Sequence, residues 1–270
     1  MVRSTLVVYN TADRLLRGDF FHTVSVKHIG ADLADYPSDW LTLGVGTTNW
    51  MGRNGEVIID GTVKQPRYLW ADPDSDPAGD ILDIVTRRPR QTGKTPLVTP
   101  EYGVDDEEPH FPFVAVAICD PGSSESLRGE NIDNIHDWLI EKLMADNWGL
   151  IGLRIWGEFV HVQITDAYNL PLGGLDLSDG YKGEDHFRIE AYDTGQWAMS
   201  GLYAANPSLQ PFISVPGLPL HLHGFEQDIL QGGHIVRAQA MTIEADICPL
   251  DDLKLVIHNL AKASNPVKGQ

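Results

Sequence analysis

VPGLPLHLHGFEQDILQGGHIVRAQAMTIE, residues 215–244, is the stretch whose reading decides the rest. Within it LPLHLHGF alternates in polarity, the signature of a strand with two unlike faces. Residues two apart on a strand share a face, so His221 and His223 project together. Gly232-Gly233 reads as a turn, and HIVRAQAMTIE as a returning strand that opens with His234. A hairpin of this kind brings His234 beside the first pair. Three neutral imidazoles with an open fourth position are the usual shell of a catalytic zinc, whereas a closed structural site is richer in cysteine. Alone, a His-x-His pair also reads as a polar face meeting solvent; the Gly-Gly-His return favours the metal.

Outward from that stretch, composition bounds the function. The chain has 270 residues, the size of one large domain or two small ones, and 42% of them are hydrophobic, enough for a core. Its formal charge is −18, from 20 basic and 38 acidic residues. That balance argues against nucleic acid as a partner and requires a local cation wherever an anion is to bind. Cys119 and Cys248 lie in apolar, strand-like surroundings. They read as buried free thiols of a cytosolic protein, with a disulfide between them as the alternative. No Cys-x-x-Cys occurs, against a zinc finger. The opening MVRSTLVVYNTADRLLRG lacks a long apolar region and no run approaches a membrane span, so a cytoplasmic protein without membrane contact is expected.

Taken in order, TLVVYN reads as a strand and TADRLLRG as a short helix capped by Thr11 and stopped at Gly18. VSVKHIGADLADYP carries a helix ended by Pro37, with His22 and His28 as surface or capping histidines. Two strand-like runs, 41–45 and 56–59, bracket a turn whose strongest signal is Asn54-Gly55. Glu56 then reads, by itself, as an exposed carboxylate at a strand start. From Trp70 to Gly103 acidic and basic clusters alternate with prolines, a surface loop. Asp72, Asp74, Asp76, Asp80 and Asp83 fall at calcium-loop offsets, but Pro77 stands where that loop needs glycine, which argues against calcium. FPFVAVAIC is a buried strand. NIDNIHDWLIEKLMADN is an amphipathic helix with Ile132, Ile135, Leu139 and Leu143 inward and a structural His136. WGLIGLRIWGEFVHVQITD reads as a strand pair around Gly157-Glu158. Arg154, inside its apolar run, either meets an anion or snorkels to solvent from an edge strand. Residues 170–190 form a loop, FRIEAY and 196–204 two strands, and the chain closes with a helix over about 251–263.

These motifs, in this order, resemble the alpha-acetolactate decarboxylase family. VPGLPLHLHGF followed by GGHIV resembles that family's zinc segment, including the eleven-residue step from His223 to His234. LIGLRIWGEFVHVQ resembles its arginine-bearing strand, LGVGTTN and NGEVIIDG its threonine and glutamate segments, and YNTADRLLRGDF its start. The chain departs from the pattern in three places. The loop from Trp70 to Gly103 looks inserted; GFEQDIL replaces an acidic-Arg pair; and no acid follows Asp252, where the family has a second active-site glutamate. Glu226 and Glu244 are the candidates to replace it.

The resemblance implies a mixed α/β (α+β) fold of two sheet-containing halves, 1–165 with Glu56 and Arg154 and 166–270 with the zinc histidines, and the metal site between them. It implies zinc (Zn2+) on His221, His223 and His234, Arg154 gripping the substrate carboxylate, Glu56 on the metal or a proton, Thr47 offering a hydroxyl to substrate, and a homodimer. The implied reaction takes (S)-2-acetolactate to (R)-acetoin and carbon dioxide, with zinc as Lewis acid for an enediolate and without thiamine, pyridoxal or biotin. Rival readings are another zinc lyase or isomerase of a related 2-hydroxy-3-keto acid, a cupin-like metal oxygenase, or a metal-binding module without turnover.

Overall fold

The apolar run ending at Cys119 becomes a strand buried along its whole length, Phe113–Cys119, in the computed structural model of the protein. The structure describes residues 2–19, 23–50, 53–72, 80–83, 88–89, 110–166, 188–228 and 231–256. In chain order its strands are β1 Thr5–Tyr9, β2 Val24–Ser25, β3 Leu41–Trp50, β4 Arg53–Thr62, β5 Tyr68–Asp72, β6 Asp80–Asp83, β7 Arg88–Pro89, β8 His110–Phe111, β9 Phe113–Cys119, β10 Glu125–Ile132, β11 Leu150–Asp166, β12 Arg188–Ala204, β13 Leu220–Glu226, β14 Gly232–Pro249 and β15 Asp252–Val256. The helices are α1 Ala12–Leu16, α2 Val26–Leu33, α3 Ile135–Ala145 and α4 Gln210–Ile213.

Two sheets dominate. The first runs β15-β1-β9-β3-β4-β5-β6-β7, and the second β10-β14-β11-β12-β13. With β9 flanked by β1 and β3, a strand without polar residues is what the centre of the first sheet requires. Leu6, Val8, Leu43, Val45, Ala115, Ala117 and Cys119 of the first sheet pack on Leu202, Ala204 and Cys248 of the second. The outer face of the first sheet is covered by Ile29 and Leu33 of α2. The outer face of the second receives Ile135, Leu139 and Leu143 of α3. The order of layers is thus helix, sheet, sheet, helix, a mixed α+β fold. Cys119 and Cys248 are both buried and free.

The second sheet also curls onto itself. β14 pairs with β11 along most of its length, and its first residues pair with β13 as well, in the register His223↔His234, Gly224↔Gly233 and Phe225↔Gly232. The strands β14, β11, β12 and β13 therefore form a closed ring without free edges at the seam.

Several sequence expectations change. Gly232 and Gly233 are not a turn but the first residues of β14; a Cβ on Gly232 would lie 2.1 Å from the carbonyl oxygen of Gly224, so glycine is what lets the seam close. No turn breaks the chain at Gly157-Glu158. β11 is one strand of 17 residues, and a Cβ on Gly157 would meet the Thr242 carbonyl oxygen at 2.1 Å, so this glycine permits close approach of β14. Register shifts beyond Glu158, with His161 at φ 51°, absorb the curvature. The separate strands expected around 187–204 are the single strand β12. Asn54-Gly55 lies inside β4, opposite Thr48 and Asn49. The 70–103 segment contributes β5, β6 and β7 to the sheet rather than loop alone; its remaining residues, including Asp74, Asp76 and Pro77 of the calcium pattern, lie outside the described residues, as do His22 and residues 167–187. Ile132 belongs to β10, not to the helix. The final segment begins with β15, parallel to β1, where a helix was expected; residues from 257 on lie outside the described ones. β10 and β11, with Arg154, belong to the sheet of the histidines, and β15 belongs to the other. Among the described residues no helix is long and apolar enough to cross a membrane.

Candidate metal centre

Strand alternation places His221, His223 and Phe225 of β13 on the face toward the first sheet, with Leu220 and Leu222 turned away. His234 enters at the seam, directly across from His223. The ring centroids lie 4.6, 4.8 and 5.4 Å apart, and one potential ligand atom from each ring falls within 4.8 Å of the others. The expected trio is thus assembled, by strand closure rather than by a Gly-Gly hairpin.

Hydrogen bonds fix which nitrogens face inward. His223 Nδ1 lies 2.9 Å from the carbonyl oxygen of Val57, and His221 Nδ1 is bonded to that of Ile213. A carbonyl only accepts, so both Nδ1 atoms carry the proton. Their Nε2 atoms then present lone pairs, 2.9 Å apart. Two bare nitrogens at that distance repel unless a cation or a proton lies between them. A backbone carbonyl holding the far nitrogen of each ring is the usual outer support of a metal-bound histidine. The donor set therefore fits a borderline-soft divalent ion such as zinc.

Burial reinforces this. It is the first cause that pushes His221 down to about 4 and His223 and His234 well below the usual imidazole range, with the neighbouring rings adding to it. Neutral imidazoles are the ligating form. Phe113 stacks on His221, with centroids 6.3 Å apart and an interplanar angle of 2°.

Glu56 is 4% exposed, and its Oε2 lies 3.3 Å from His223 Nε2. The exposed strand-start reading thus fails for Glu56. The pairing of β3 with β4 continues as far as Trp50 and Arg53, so Glu56 lies in the strand interior, directly opposite Thr47. Thr47 is also buried. Their extra separation in sequence vanishes in the register.

Arg154 shares its sheet face with Ser200 and His223 through the cross-strand pairs Arg154↔Ser200 and Ser200↔His223. Its guanidinium meets Asp60 of β4, with Nη2 donating to Oδ2 at 3.4 Å and Nε 3.1 Å from Oδ1. The two groups line a cleft of about 320 Å³ with Ile58, Arg67, Ala198 and Phe225. No histidine is among its described lining residues; Ser200, between Arg154 and His223 in the cross-strand register, accepts through Oγ from Gly44 N at 2.8 Å.

The proposed replacements for the family's last glutamate lie elsewhere. Glu226 is on the opposite face of β13 and accepts from the backbone N–H of Gln196 and Asp228. Glu244 pairs with Arg128 at 3.4 Å on the surface. Sequence reasoning missed Asp60, although it stands four residues after Glu56 and hence on the same strand face. It also missed Phe113 and the two supporting carbonyls, which no local pattern reveals.

His136 keeps a structural position on α3 and is pushed down to about 4 chiefly by burial. The folded value lies below the unfolded one, so between them the unfolded chain binds more protons. The protein should lose stability as pH falls from about 6.5 toward 4, with His136 contributing roughly 3 kcal/mol at the low end. Urea midpoints at successive pH values measure this; a flat profile from pH 7 to 4 would mean that the His136 ring is not held neutral.

The model of the family described as alpha-acetolactate decarboxylase matches residues 100–263. No curated protein sequence matches the chain. Among solved structures, the alpha-acetolactate decarboxylase of Bacillus subtilis strain 168 is similar at 18% identity and a TM-score of 0.64, over 96% of this chain and 91% of that one. A Staphylococcus aureus protein of unknown function, described as similar to alpha-acetolactate decarboxylase, is similar at 13% identity and a TM-score of 0.63, over 93% and 88%. At these identities the two structures establish the shared fold.

Proposed function

This chain belongs to the alpha-acetolactate decarboxylase family of carboxy-lyases, and from that premise we propose that it is a zinc-dependent enzyme that converts 2-acetolactate to acetoin and carbon dioxide, with His221, His223 and His234 as its metal ligands. The observation that carries the zinc reading is the pair of facing Nε2 atoms whose Nδ1 partners are locked on carbonyls. When bound, the ion supplies Lewis acidity to the hydroxyl and keto oxygens of the substrate.

The chain's own residues account for the remaining tasks. Arg154 is the local cation that an acidic protein needs for an anionic substrate, and its fork suits a carboxylate. When the bond to the carboxylate breaks, its electron pair passes into the adjacent carbonyl, and a carbon must then take up a proton. Glu56, buried beside His223, is the carboxyl group best located to hold and deliver it. The Thr47 hydroxyl, across from Glu56, serves as a hydrogen-bonding group for a substrate oxygen. The buried walls of the centre keep bulk water from competing for the proton.

The test is carbon dioxide release and acetoin formation from racemic acetolactate, with metal content measured on the same sample. Turnover with about one zinc per chain, lost on chelation and restored by zinc, is the expected result. Zinc without turnover would sink acetolactate as the substrate. It would favour a different 2-hydroxy-3-keto acid, a reading motivated by the lack of Asp and Glu among residues 253–270.

Arg154→Lys should lower kcat/KM at least tenfold while zinc stays in place, because an ammonium cannot present two parallel donors. Unchanged kinetics would remove Arg154 from the site. Size-exclusion chromatography with light scattering tests the homodimer that the family resemblance implies.

A further inference from the structure

We propose that Asp60 is a positioning residue that fixes Arg154 by one edge of its guanidinium and leaves the other edge for the substrate carboxylate, an inference that rests on the carboxylate-binding reading of Arg154. A guanidinium offers two two-donor edges that a carboxylate can reach: the side edge, Nε with Nη2, and the end edge, Nη1 with Nη2. Asp60 occupies the side edge, at 3.1 Å from Nε and 3.4 Å from Nη2. Among the described residues nothing bonds Nη1. The end edge is therefore open, and the cleft lined by Arg154 and Asp60 gives it access to solvent.

Asp60 is well placed to hold rather than to be displaced. Its side chain is 15% exposed, against 42% for Arg154. It stands on the strand that also carries Glu56, so the sheet that aims the proton-handling carboxylate also aims the carboxylate-binding cation. The pair joins the two sheets across the site. An unrestrained arginine would lose several rotors on gripping its substrate; one already clamped has less to lose. Asp60 Oδ1 is buried without a hydrogen-bond partner, so its 3.1 Å contact with Nε is an ion pair that loss of the guanidinium would leave uncompensated.

The test is a double-mutant cycle on the zinc-loaded full chain. Asp60→Asn should lower kcat at least tenfold, leave KM within threefold, and keep zinc per chain unchanged, since the freed guanidinium still attracts an anion but no longer orients it. In an Arg154→Gln background the same change should alter kcat by less than twofold. A kcat within twofold of the parent, or an equal loss in both backgrounds, would overturn the proposal. Should Asp60→Asn not fold, Asp60→Glu decides: it keeps the charge and moves the guanidinium by one methylene, so a tenfold fall in kcat with zinc retained supports positioning, and parent-like kcat overturns it.

A second arm does not depend on turnover. 2-Hydroxy-2-methylpropanoate has the carboxylate and hydroxyl but no ketone, and so cannot decarboxylate. Titrated into isotopically labelled protein, it should shift the Nη1 resonance of Arg154 and leave Nε nearly unmoved. A dominant shift at Nε would mean that Asp60 is displaced, and would end the proposal. If the parent fails to decarboxylate acetolactate, the function reading fails and this arm still decides the role of Asp60.

Discussion

His223→Ala is expected to lose zinc and turnover together, with kcat down by about 10³-fold or more, on the order of 4 kcal/mol of transition-state stabilisation. His223 is the most connected member of the centre. It is fully buried, is held by the Val57 carbonyl of the other sheet, faces His221 at 2.9 Å, lies 3.3 Å from Glu56 and pairs across the seam with His234. On the proposed reading alanine removes one of three ligands, and it also removes the hydrogen bond to the Val57 carbonyl of the other sheet. Zinc per chain by atomic emission should fall below one tenth, while circular dichroism retains the sheet signal. A variant with a full equivalent of zinc would show that the ligand assignment is wrong.

The second large effect concerns a carboxylate. Glu56→Gln should lower kcat by about 10²–10⁴-fold with zinc retained, because in the proposed centre three imidazoles supply the protein's share of a catalytic shell. Glutamine keeps the volume of the buried side chain and its place opposite Thr47, and removes only the ability to carry a proton. The separation of effects is the point of the measurement. If zinc leaves with activity, Glu56 is a ligand rather than a proton carrier; if neither changes, the carboxylate is a bystander. A solvent hydrogen-isotope effect on kcat, present in the parent and altered in the variant, would support the proton role independently.

The histidine trio was legible because its signal is local: alternation fixes the shared face of His221 and His223 without knowledge of the rest of the chain. The mixed fold of two sheets came from the family resemblance of these motifs; local pattern by itself gave only single elements, such as the apolar strand Phe113–Cys119. Glu56 was not legible, because its burial depends on where the hairpin turns. Asn54-Gly55 is a strong turn signal, yet the pairing of β3 with β4 continues past it, and tertiary register prevailed over local propensity. Gly157 and Gly232 misled in a related way. Glycine marks turns in sequence, but here it marks places where a neighbouring backbone comes too close for a Cβ. The C-terminal strand β15 exists only through its parallel partner β1, some 250 residues away in the chain, and no short window encodes such a partner. Asp60 was within reach by parity alone; its partner Arg154, on the other sheet, was not.

The closed ring has a consequence for the order of assembly. His221 and His223 come ready-made on one strand, whereas His234 reaches them only when the start of β14 joins β13, the last side of the ring to be satisfied. On the proposed reading, an ion bound by all three rings would act as a clasp on that seam. Metal occupancy and ring closure would then be one equilibrium, so that depletion of zinc would open the molecule first at residues 232–234, and a chain opened there would offer an ion two imidazoles instead of three.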